Sequence, residues 1–487
     1  MRKLKDILYK VALRATQGDM ELGVTGIYFD SRQVRQDGLF VAVPGTQVDG
    51  HAFIPKAIDQ GARVIVCEVL PEETRVHVTY VQVASAAVAL GEMAANFYGN
   101  PSEKLKLVGI TGTNGKTSTA TLLHRLFIAL GYQVGLISTV ENKINEEVLP
   151  ATHTTPDAVQ LQALLQRMLQ AGCTHVFMEA SSHAIVQERM AGTRVTGAVF
   201  TNISHDHLDY HGDFNSYIKA KKKLFDGLPK TAFALTNADD KRGAVMVQNT
   251  AAQIHTYGIK TDADFKAKVL SNTLEGLELS IQQHAVWFGL IGRFNAYNLL
   301  AVLATALLLG EEEEEVLLQL SRLKSATGRF ETVQAHGLTV VIDYAHTPDA
   351  LENVLATLEE INDGRAHIYT VVGCGGNRDK TKRPLMAKIA AAKSTKAYFT
   401  SDNPRDEDPE QILADMQEGL SPVELRKVLS IADRRSAIKA AILGAEEGDM
   451  ILVAGKGHET YQEIKGVKHP FDDKEEVKKI LALLNQK

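Results

Sequence analysis

The sequence predicts an α/β protein built from three domains. Three observations carry that expectation. The chain has 487 residues, and at roughly 150 residues per domain that length calls for about three hydrophobic cores. From about residue 102, short apolar runs alternate with glycine-rich turns and helical stretches, the signature of a mostly parallel sheet with covering helices. The same pattern restarts near Gly328. The expected divisions are 1–98, 99–328 and 329–487.

In the first segment, Leu39-Phe40-Val41-Ala42-Val43 reads as a buried strand ended by Pro44-Gly45, and Val64 to Cys67 as another. Ala86 to Phe97 reads as a helix, and the breakers Gly99-Asn100-Pro101-Ser102 mark a boundary. In the second, Leu105 to Ile110 is a strand and Thr117 to Leu130 a helix stopped by Gly131. Val134–Ile137, His175–Met178, Val195–Thr201 and Ala232–Thr236 are further strands, and an apolar helix begins near Asn295. The run Glu311 to Glu315 reads as a solvated helix start, where negative charge suits the helix dipole. In the third, the strands are Leu338–Ile342, Ile368–Val372, Lys396–Thr400 and Met450–Val453.

Composition narrows the function. With 53 basic and 59 acidic residues the net charge is −6, which gives no reason to expect nucleic acid or an anionic membrane as partner. Cys67, Cys173 and Cys374 form no CxxC pair, so neither a zinc ribbon nor a disulfide framework is expected. Cys374 reads as a small residue in a tight turn. The charged start Met1-Arg2-Lys3 leads into no long apolar run. A cytoplasmic monomer acting on small molecules is expected.

The strand Leu105–Ile110 runs into Thr111-Gly112-Thr113-Asn114-Gly115-Lys116-Thr117 and then a helix. Gly112 and Gly115 allow backbone N–H groups close to an anion, Lys116 supplies a point charge for the β- and γ-phosphates, and Thr117 a hydroxyl for Mg²⁺. Thr113, Asn114 and Ser118 complete the candidate ATP contacts of this loop. The common pattern carries a glycine five residues before Gly115; here that residue is Ile110.

A second group follows the next strands. Glu179 ends one, in Met178-Glu179-Ala180-Ser181-Ser182-His183, and Asn202 to His211 follows another with His205, Asp206, His207 and His211. Carboxylates and imidazoles at adjacent strand ends can converge on a divalent metal, and beside a phosphate loop that metal is Mg²⁺. The lysine-rich helix around Tyr217 to Phe225 reads on its own as a solvated face.

Together these segments resemble the Mur ligase family of peptidoglycan synthesis. The matching pieces are TGTNGKT at 111–117, MEASSH at 178–183, NISHDHLDYHG at 202–212, AYNLLA at 296–301, GRFE at 328–331 and DYAHTPDAL at 343–351. Asp30-Ser31-Arg32 and VPGTQVDGHAFI at 43–54 are similar to the branch that adds the third peptide residue. The resemblance implies a UDP-binding first domain, a central ATPase domain and a Rossmann-like third domain. It also implies a reaction: ATP phosphorylates a carboxylate of a UDP-N-acetylmuramoyl dipeptide, UDP-N-acetylmuramoyl-L-Ala-D-Glu, and an amino acid's amine displaces the phosphate to form an amide.

On the same resemblance Lys116, Glu179, His207 and Lys221 are the catalytic set, and Thr117, Glu179, His207 and Lys221 the Mg²⁺ ligands, with Lys221 as N6-carboxylysine. A free ammonium repels Mg²⁺, whereas a carbamate offers oxygen. Asn298, Arg329 and Asp343 would hold adenine, phosphate and ribose; for Asn298 a helix cap is the alternative. His346 is assigned to shaping its loop. Ser31, Thr46, Gln47 and Val48 resemble the uridine site, and Thr154, Thr155, Ser181, Gln187 and Arg189 the contacts to the muramoyl dipeptide.

The third segment carries Gly373 to Asp379, then Asp402-Asn403-Pro404-Arg405, then Gly455-Lys456-Gly457-His458-Glu459, each after a strand candidate. The DNPR form is similar to enzymes that add meso-diaminopimelate. The chemistry agrees, because diaminopimelate has a carboxylate at each end and an extra arginine fork suits the second. Arg378, Asp402, Asn403, Pro404, Arg405, Gly455 and Glu459 are expected to line that pocket. Folylpolyglutamate synthase shares the ATP domain, but the roughly 100 residues before the phosphate loop argue against it. A regulatory P-loop switch would need no carboxylate-reading third domain.

Overall fold

The structure, a computed structural model, describes residues 1–45, 48–151, 153–362, 364 and 366–484. Three large sheets follow one another along the chain. The first has five strands in the order Leu13–Gln17, Thr79–Val83, Ala62–Cys67, Gly38–Val41, Ile27–Tyr28. All neighbours are parallel except the first pair. Side-chain alternation splits its core across two faces: Leu39, Val41, Val64 and Val66 pack on one side, Phe40, Ile65 and Cys67 on the other. The helix Ala86–Phe97 covers the first face, and the Ser85 side chain accepts from Val88 N at its start. Asn100, left-handed at φ 52°, turns the chain just before Pro101.

The second sheet has eleven strands. Its parallel part runs Val134–Ile137, His175–Glu179, Lys106–Thr111, Gly197–Phe200, Phe233–Asn237, Gln253–Gly258, Phe265–Asn272. Val108, Ile110 and Phe177 face a core shared with the helices Lys116–Ala129 and Arg293–Leu308, while Leu107, Val176 and Met178 face the other. Arg293–Leu308 is apolar on nearly every face because it is buried on nearly every face. Glu313, Glu314 and Glu315 occupy the first turn of the helix Glu313–Ser321, as expected.

The sequence did not reveal the antiparallel extensions at the sheet's two ends. Asn142–Ile144 and Glu147–Leu149 form one, Leu277–Ile281 and His284–Phe288 the other. Two of these strands have only three residues, and His284–Phe288 is largely exposed, so they carry little apolar periodicity.

The third sheet runs Glu331–Ala335, Leu338–Asp343, Met450–Ala454, Ile368–Val372, Lys396–Phe399, Val428–Ser430, parallel apart from the first hairpin. Pro348–Asn362, Lys382–Lys393 and Pro409–Gln417 cover one face, Arg434–Leu443 and Asp473–Leu484 the other. This is a doubly wound α/β arrangement, in which ligands belong at the strands' C-terminal ends. Among the described residues no helix is long and apolar enough to cross a membrane.

Candidate active site

The phosphate loop joins a strand in the interior of the second sheet, Lys106–Thr111, to the helix Lys116–Ala129. Gly112 and Gly115 have φ of 150° and 85°. A Cβ on Gly112 would lie 1.9 Å from Thr201 Oγ1, and one on Gly115 2.6 Å from Asn298 Oδ1. The loop is held by its neighbour Asn202, whose Oδ1 accepts from Asn114 N at 2.9 Å and whose carbonyl accepts from Thr113 N at 2.8 Å. Lys116 Nζ turns back to donate to the carbonyls of Gly112 (2.9 Å) and Thr113 (2.8 Å). Burial lowers its pKa, opposed by Glu179 and Asp206. Ser118 lies half-buried in the first helical turn.

Lys221 reaches the same point from the helix Phe214–Asp226. It is 1% exposed, its Nζ donates to Gly112 O at 2.7 Å, and it lies 4.6 Å from the Tyr217 ring centroid. Burial, reinforced by Lys116, holds its pKa well below the ordinary lysine value. The solvated-face reading of this helix is therefore corrected: Lys219 and Lys223 are exposed, but Lys221 and Lys222 are buried. An amphipathic helix buries one stripe whatever its residue types, and these two lysines fall on it.

Glu179 ends its strand fully buried. Its Oε1 accepts from Thr139 N at 2.8 Å and its Oε2 from Thr139 Oγ1 at 3.2 Å. His207 sits in a left-handed turn at φ 54°, 3.3 Å from Asp206 Oδ2. Burial keeps the imidazole below its usual range, with Asp206 opposing. For Asp206 burial raises the pKa, but His207, His346, Lys382 and Lys116 outweigh it. Among the described residues no three His, Cys, Asp or Glu side chains are grouped to hold a metal. The imidazoles pack on one another, His183 lying 4.9 Å from His207 and 5.6 Å from His211, and His211 Nε2 pairs with Ser182 Oγ at 2.9 Å.

The nucleotide candidates gather on the loop's far side. Asn298 lies in the interior of its helix, not at a cap, with Nδ2 donating to Asn295 Oδ1 at 2.9 Å. Arg329 stacks 4.4 Å from the Tyr344 ring centroid and donates from Nη2 to Thr117 Oγ1 at 3.1 Å. Asp343 accepts from Phe330 N at 2.7 Å; burial raises its pKa, opposed by Arg329. His346 pairs with the Tyr344 carbonyl at 2.8 Å, and burial lowers its pKa to about 4.

Thr154, Thr155, Ser181, Gln187 and Arg189 come together beside Glu179. Thr139 Oγ1 lies 3.0 Å from Thr154 Oγ1, Thr155 Oγ1 donates to Glu179 O (2.7 Å), and Ser181 N donates to Thr155 Oγ1 (3.3 Å). Arg189 Nη1 donates to Thr155 O at 2.8 Å, and its Nε and Nη2 both reach Gln187 Oε1. Ser31 opens a short 3-10 turn capped by Asp30, and Val48 is exposed; both belong to the first sheet's loops. Thr46 and Gln47 lie outside the described residues.

The three loops expected to take the amino acid meet at the C-terminal ends of neighbouring strands of the third sheet, because the strands before them lie side by side and parallel. Asn403 Nδ2 donates to Glu459 Oε2 at 2.8 Å. Lys456, fully buried, donates to Glu459 Oε2 (3.0 Å), Asn403 Oδ1 (3.1 Å) and Asp402 Oδ1 (3.5 Å). Gly455 N donates to the Asp343 carbonyl at 3.0 Å. Arg405, left-handed at φ 52°, donates from Nη1 to Gly376 O at 2.7 Å, while Arg378 is exposed. A Cβ on Gly376 would lie 1.9 Å from Pro404 O. Beneath, the fully buried Arg383 pairs with Glu407 and with Asp415, and Glu407 Oε1 accepts from Asn377 N at 2.6 Å. Cys374 is buried, and its thiol is pushed up to about 12 by burial, which fits the packing role. Two contacts join this region to the phosphate loop and its surroundings: Asn114 Nδ2 donates to Asp349 Oδ2 at 2.7 Å, at the start of the helix Pro348–Asn362, and His205 Nε2 lies 3.0 Å from Asp379 Oδ2.

Three family models match the chain in order. Residues 23–98 match the Mur ligase family catalytic domain, 110–306 the Mur ligase middle domain, and 328–457 the Mur ligase glutamate ligase domain. This chain belongs to the Mur ligase family. It is 57% identical over 486 residues to the UDP-N-acetylmuramoyl-L-alanyl-D-glutamate--2,6-diaminopimelate ligase of Cytophaga hutchinsonii, covering 99% of this chain and 100% of that one. The enzyme of the same name from Phocaeicola vulgatus is 54% identical over 481 residues, 99% of each chain. A solved structure of a ligase of that name superposes with a TM-score of 0.71 at 33% identity, covering 99% of both chains. The folylpolyglutamate synthase of Mycobacterium tuberculosis shares the fold at 19% identity and a TM-score of 0.62, over 75% of this Mur ligase and 91% of that chain.

Several residues around the site escaped the sequence reading. Thr139, Asn202, Asp349, Lys456, Arg383 and Glu407 act through partners far away in the chain. Asn202, Asp349 and Lys456 stood inside motifs already marked, but none of the three was given a role there.

Proposed function

We propose that this Mur ligase joins meso-diaminopimelate to UDP-N-acetylmuramoyl-L-alanyl-D-glutamate, at the expense of ATP, through an acyl phosphate. The observation that carries the assignment is the joining of the DNPR loop to the Gly455–Glu459 loop, with the Asn403–Glu459 hydrogen bond at 2.8 Å and Arg405 on the same loop. That junction offers a carboxylate for an ammonium and a guanidinium for a carboxylate, the pair of charges a diamino diacid carries at each end. The full-length relatives at 57% and 54% identity support the same substrates.

The residues divide the work as follows. Gly112 to Ser118 wrap the ATP phosphates, with Lys116 swinging from its own loop's carbonyls to the β- and γ-phosphates. Asn298 faces the adenine, Asp343 the ribose, and Arg329 the phosphates. Ser31, Thr46, Gln47 and Val48 hold the uridine end, while Thr154, Thr155, Ser181, Gln187 and Arg189 orient the dipeptide so that its D-glutamyl carboxylate faces the γ-phosphate. Phosphoryl transfer asks chiefly for such positioning and charge neutralisation. Arg378, Asp402, Asn403, Pro404, Arg405, Gly455 and Glu459 hold the amino acid with its free amine toward the acyl phosphate. The amine attacks the carbonyl carbon, loses a proton, and phosphate leaves as the amide forms.

Mg²⁺ fits this donor set in part. Glu179 is a buried carboxylate, Thr117 a hydroxyl at the helix start and His207 a neutral imidazole, and Mg²⁺ needs few protein ligands because phosphates and water complete its shell. Lys221 fits only as a carbamate. When bound, Mg²⁺ neutralises charge on the phosphates. We assign a cytoplasmic monomer, divided near residues 98 and 328. Mass spectrometry of the product formed from the UDP-dipeptide, ATP and a panel of amino acids tests the function. A diaminopimelate adduct is expected, with phosphate released only when both co-substrates are present; phosphate release without them, or a lysine adduct alone, overturns it.

A further inference from the structure

Lys456 is buried where two loops cross, 53 and 54 residues from two of its partners in sequence. Its ammonium has three protons, and three acceptors surround it: Glu459 Oε2, Asn403 Oδ1 and Asp402 Oδ1, at 3.0, 3.1 and 3.5 Å. Asn403 Oδ1 also accepts from Glu463 N at 2.9 Å. With two donors on that oxygen, the amide can present only its NH₂ to Glu459, which it reaches at 2.8 Å. Glu459 Oε2 is thereby occupied twice, by Lys456 and by Asn403. Among the described residues nothing donates to its other oxygen, Oε1, in a side chain 17% exposed. Two carboxylates and one ammonium leave the cluster with a single net negative charge.

We infer that Lys456 is a positioning residue for the incoming amino acid, which it sets by fixing Asn403 and Glu459 and by cancelling one of the two carboxylate charges. Its ammonium does not touch the reacting atoms. It leaves one carboxylate oxygen of Glu459 aimed outward and one unit of negative charge for one ammonium. Without Lys456, Asp402 and Glu459 repel; one of them moves aside or takes up a proton, and the Asn403 amide is free to turn over. The inference rests on these loops forming the amino-acid pocket.

Steady-state kinetics of the full-length Lys456→Met variant test it. The KM for diaminopimelate is expected to rise about 10- to 100-fold, the range of a lost hydrogen bond to a charged group, while the KM values for ATP and the UDP-dipeptide stay within about twofold. A second variant, Lys456→Gln, removes the charge but keeps a donor, and a smaller rise confined to the same substrate is expected. In the double variant Lys456→Met/Asp402→Asn, the surplus negative charge is removed, and recovery of a sizeable part of the lost kcat/KM is expected. An unchanged KM for the amino acid, an equal rise in all three KM values, or a double variant no better than the single one overturns the inference. If the wild-type enzyme takes another amino acid and not diaminopimelate, the pocket's substrate assignment falls, and the same three-way comparison with that amino acid still decides the role of Lys456.

Discussion

Lys116 and Lys221 donate to one and the same oxygen, the carbonyl of Gly112, at 2.9 and 2.7 Å. One lysine comes from the phosphate loop, the other from a helix about a hundred residues later. Burial holds the Lys221 pKa well below the ordinary lysine value, and the charge of Lys116 beside it reinforces the shift. A depressed pKa leaves Lys221 more often as the free amine, the form whose lone pair attacks the carbon of carbon dioxide and, on losing a proton, gives a carbamate.

That pairing makes Lys221 testable. Lys221→Ala is expected to lower kcat by roughly a thousandfold or more, the scale seen when one electrostatic group of an active site is removed. Lys221→Glu, which restores an anionic oxygen at the end of a shorter stem, is expected to recover part of it. Phosphate release in the presence of all three substrates is the assay, and full activity in the alanine variant would falsify the carbamate assignment.

Arg405 stands on the loop that closes against Gly376. Arg405→Ala is expected to lower kcat/KM for meso-diaminopimelate by about a hundredfold, since a buried carboxylate would lose its bidentate partner. L-lysine, lacking that carboxylate, should lose far less, so the ratio between the two substrates narrows. An unchanged ratio would remove Arg405 from substrate selection.

Gly112 and Gly131 both have positive φ, 150° and 90°. Their surroundings differ: a Cβ at Gly112 meets Thr201 Oγ1 at 1.9 Å, and one at Gly131 meets nothing within 4 Å. Gly112→Ala is expected to raise the KM for ATP at least about tenfold, because the loop must shift. Gly131→Ala should cost only about 1 kcal/mol of stability and leave that KM alone. Equal effects of the two on ATP would show that close approach at Gly112 does not matter.

Glu407 is bound by the buried Arg383, and that contact, against the opposing effect of burial, draws its pKa down from 4.5 to about 2. A depressed folded-state pKa stabilises the fold above the unfolded value and loses that contribution as pH falls through the folded one. The contribution is on the order of 3 kcal/mol at pH 7, full above about pH 5, and under half of that by pH 3. Glu407→Gln should therefore be less stable to urea at pH 7, and its gap from the wild type should shrink as pH falls from 5 to 3. A gap that does not change with pH would show that the ion pair does not set the stability of this loop.

Local pattern alone was enough for much of the fold. The helix Ala86–Phe97, the phosphate loop between strand and helix, and four of the six strands of the third sheet are each written in a few consecutive residues, because apolar periodicity and glycine turns are local properties. The residue types of the site were legible for the same reason: Glu179 ends a strand, and Asn403, Arg405 and Glu459 stand in loops that follow strands. The meaning of Lys221 and Lys456 was not. The role of Lys221 came from the family likeness alone, since its helix reads as a solvated face, and Lys456 was given no role; the helix stripe and the side-by-side packing of three parallel strands bury them, one over Gly112 and the other between Asp402, Asn403 and Glu459. Likewise Asn114 meets Asp349 across 235 residues. Burial and pairing of charge depend on which strands become neighbours, and that ordering is fixed by the packing of whole sheets. The sequence thus determined which chemistry this Mur ligase carries, and the tertiary structure alone decided which of its charges face one another.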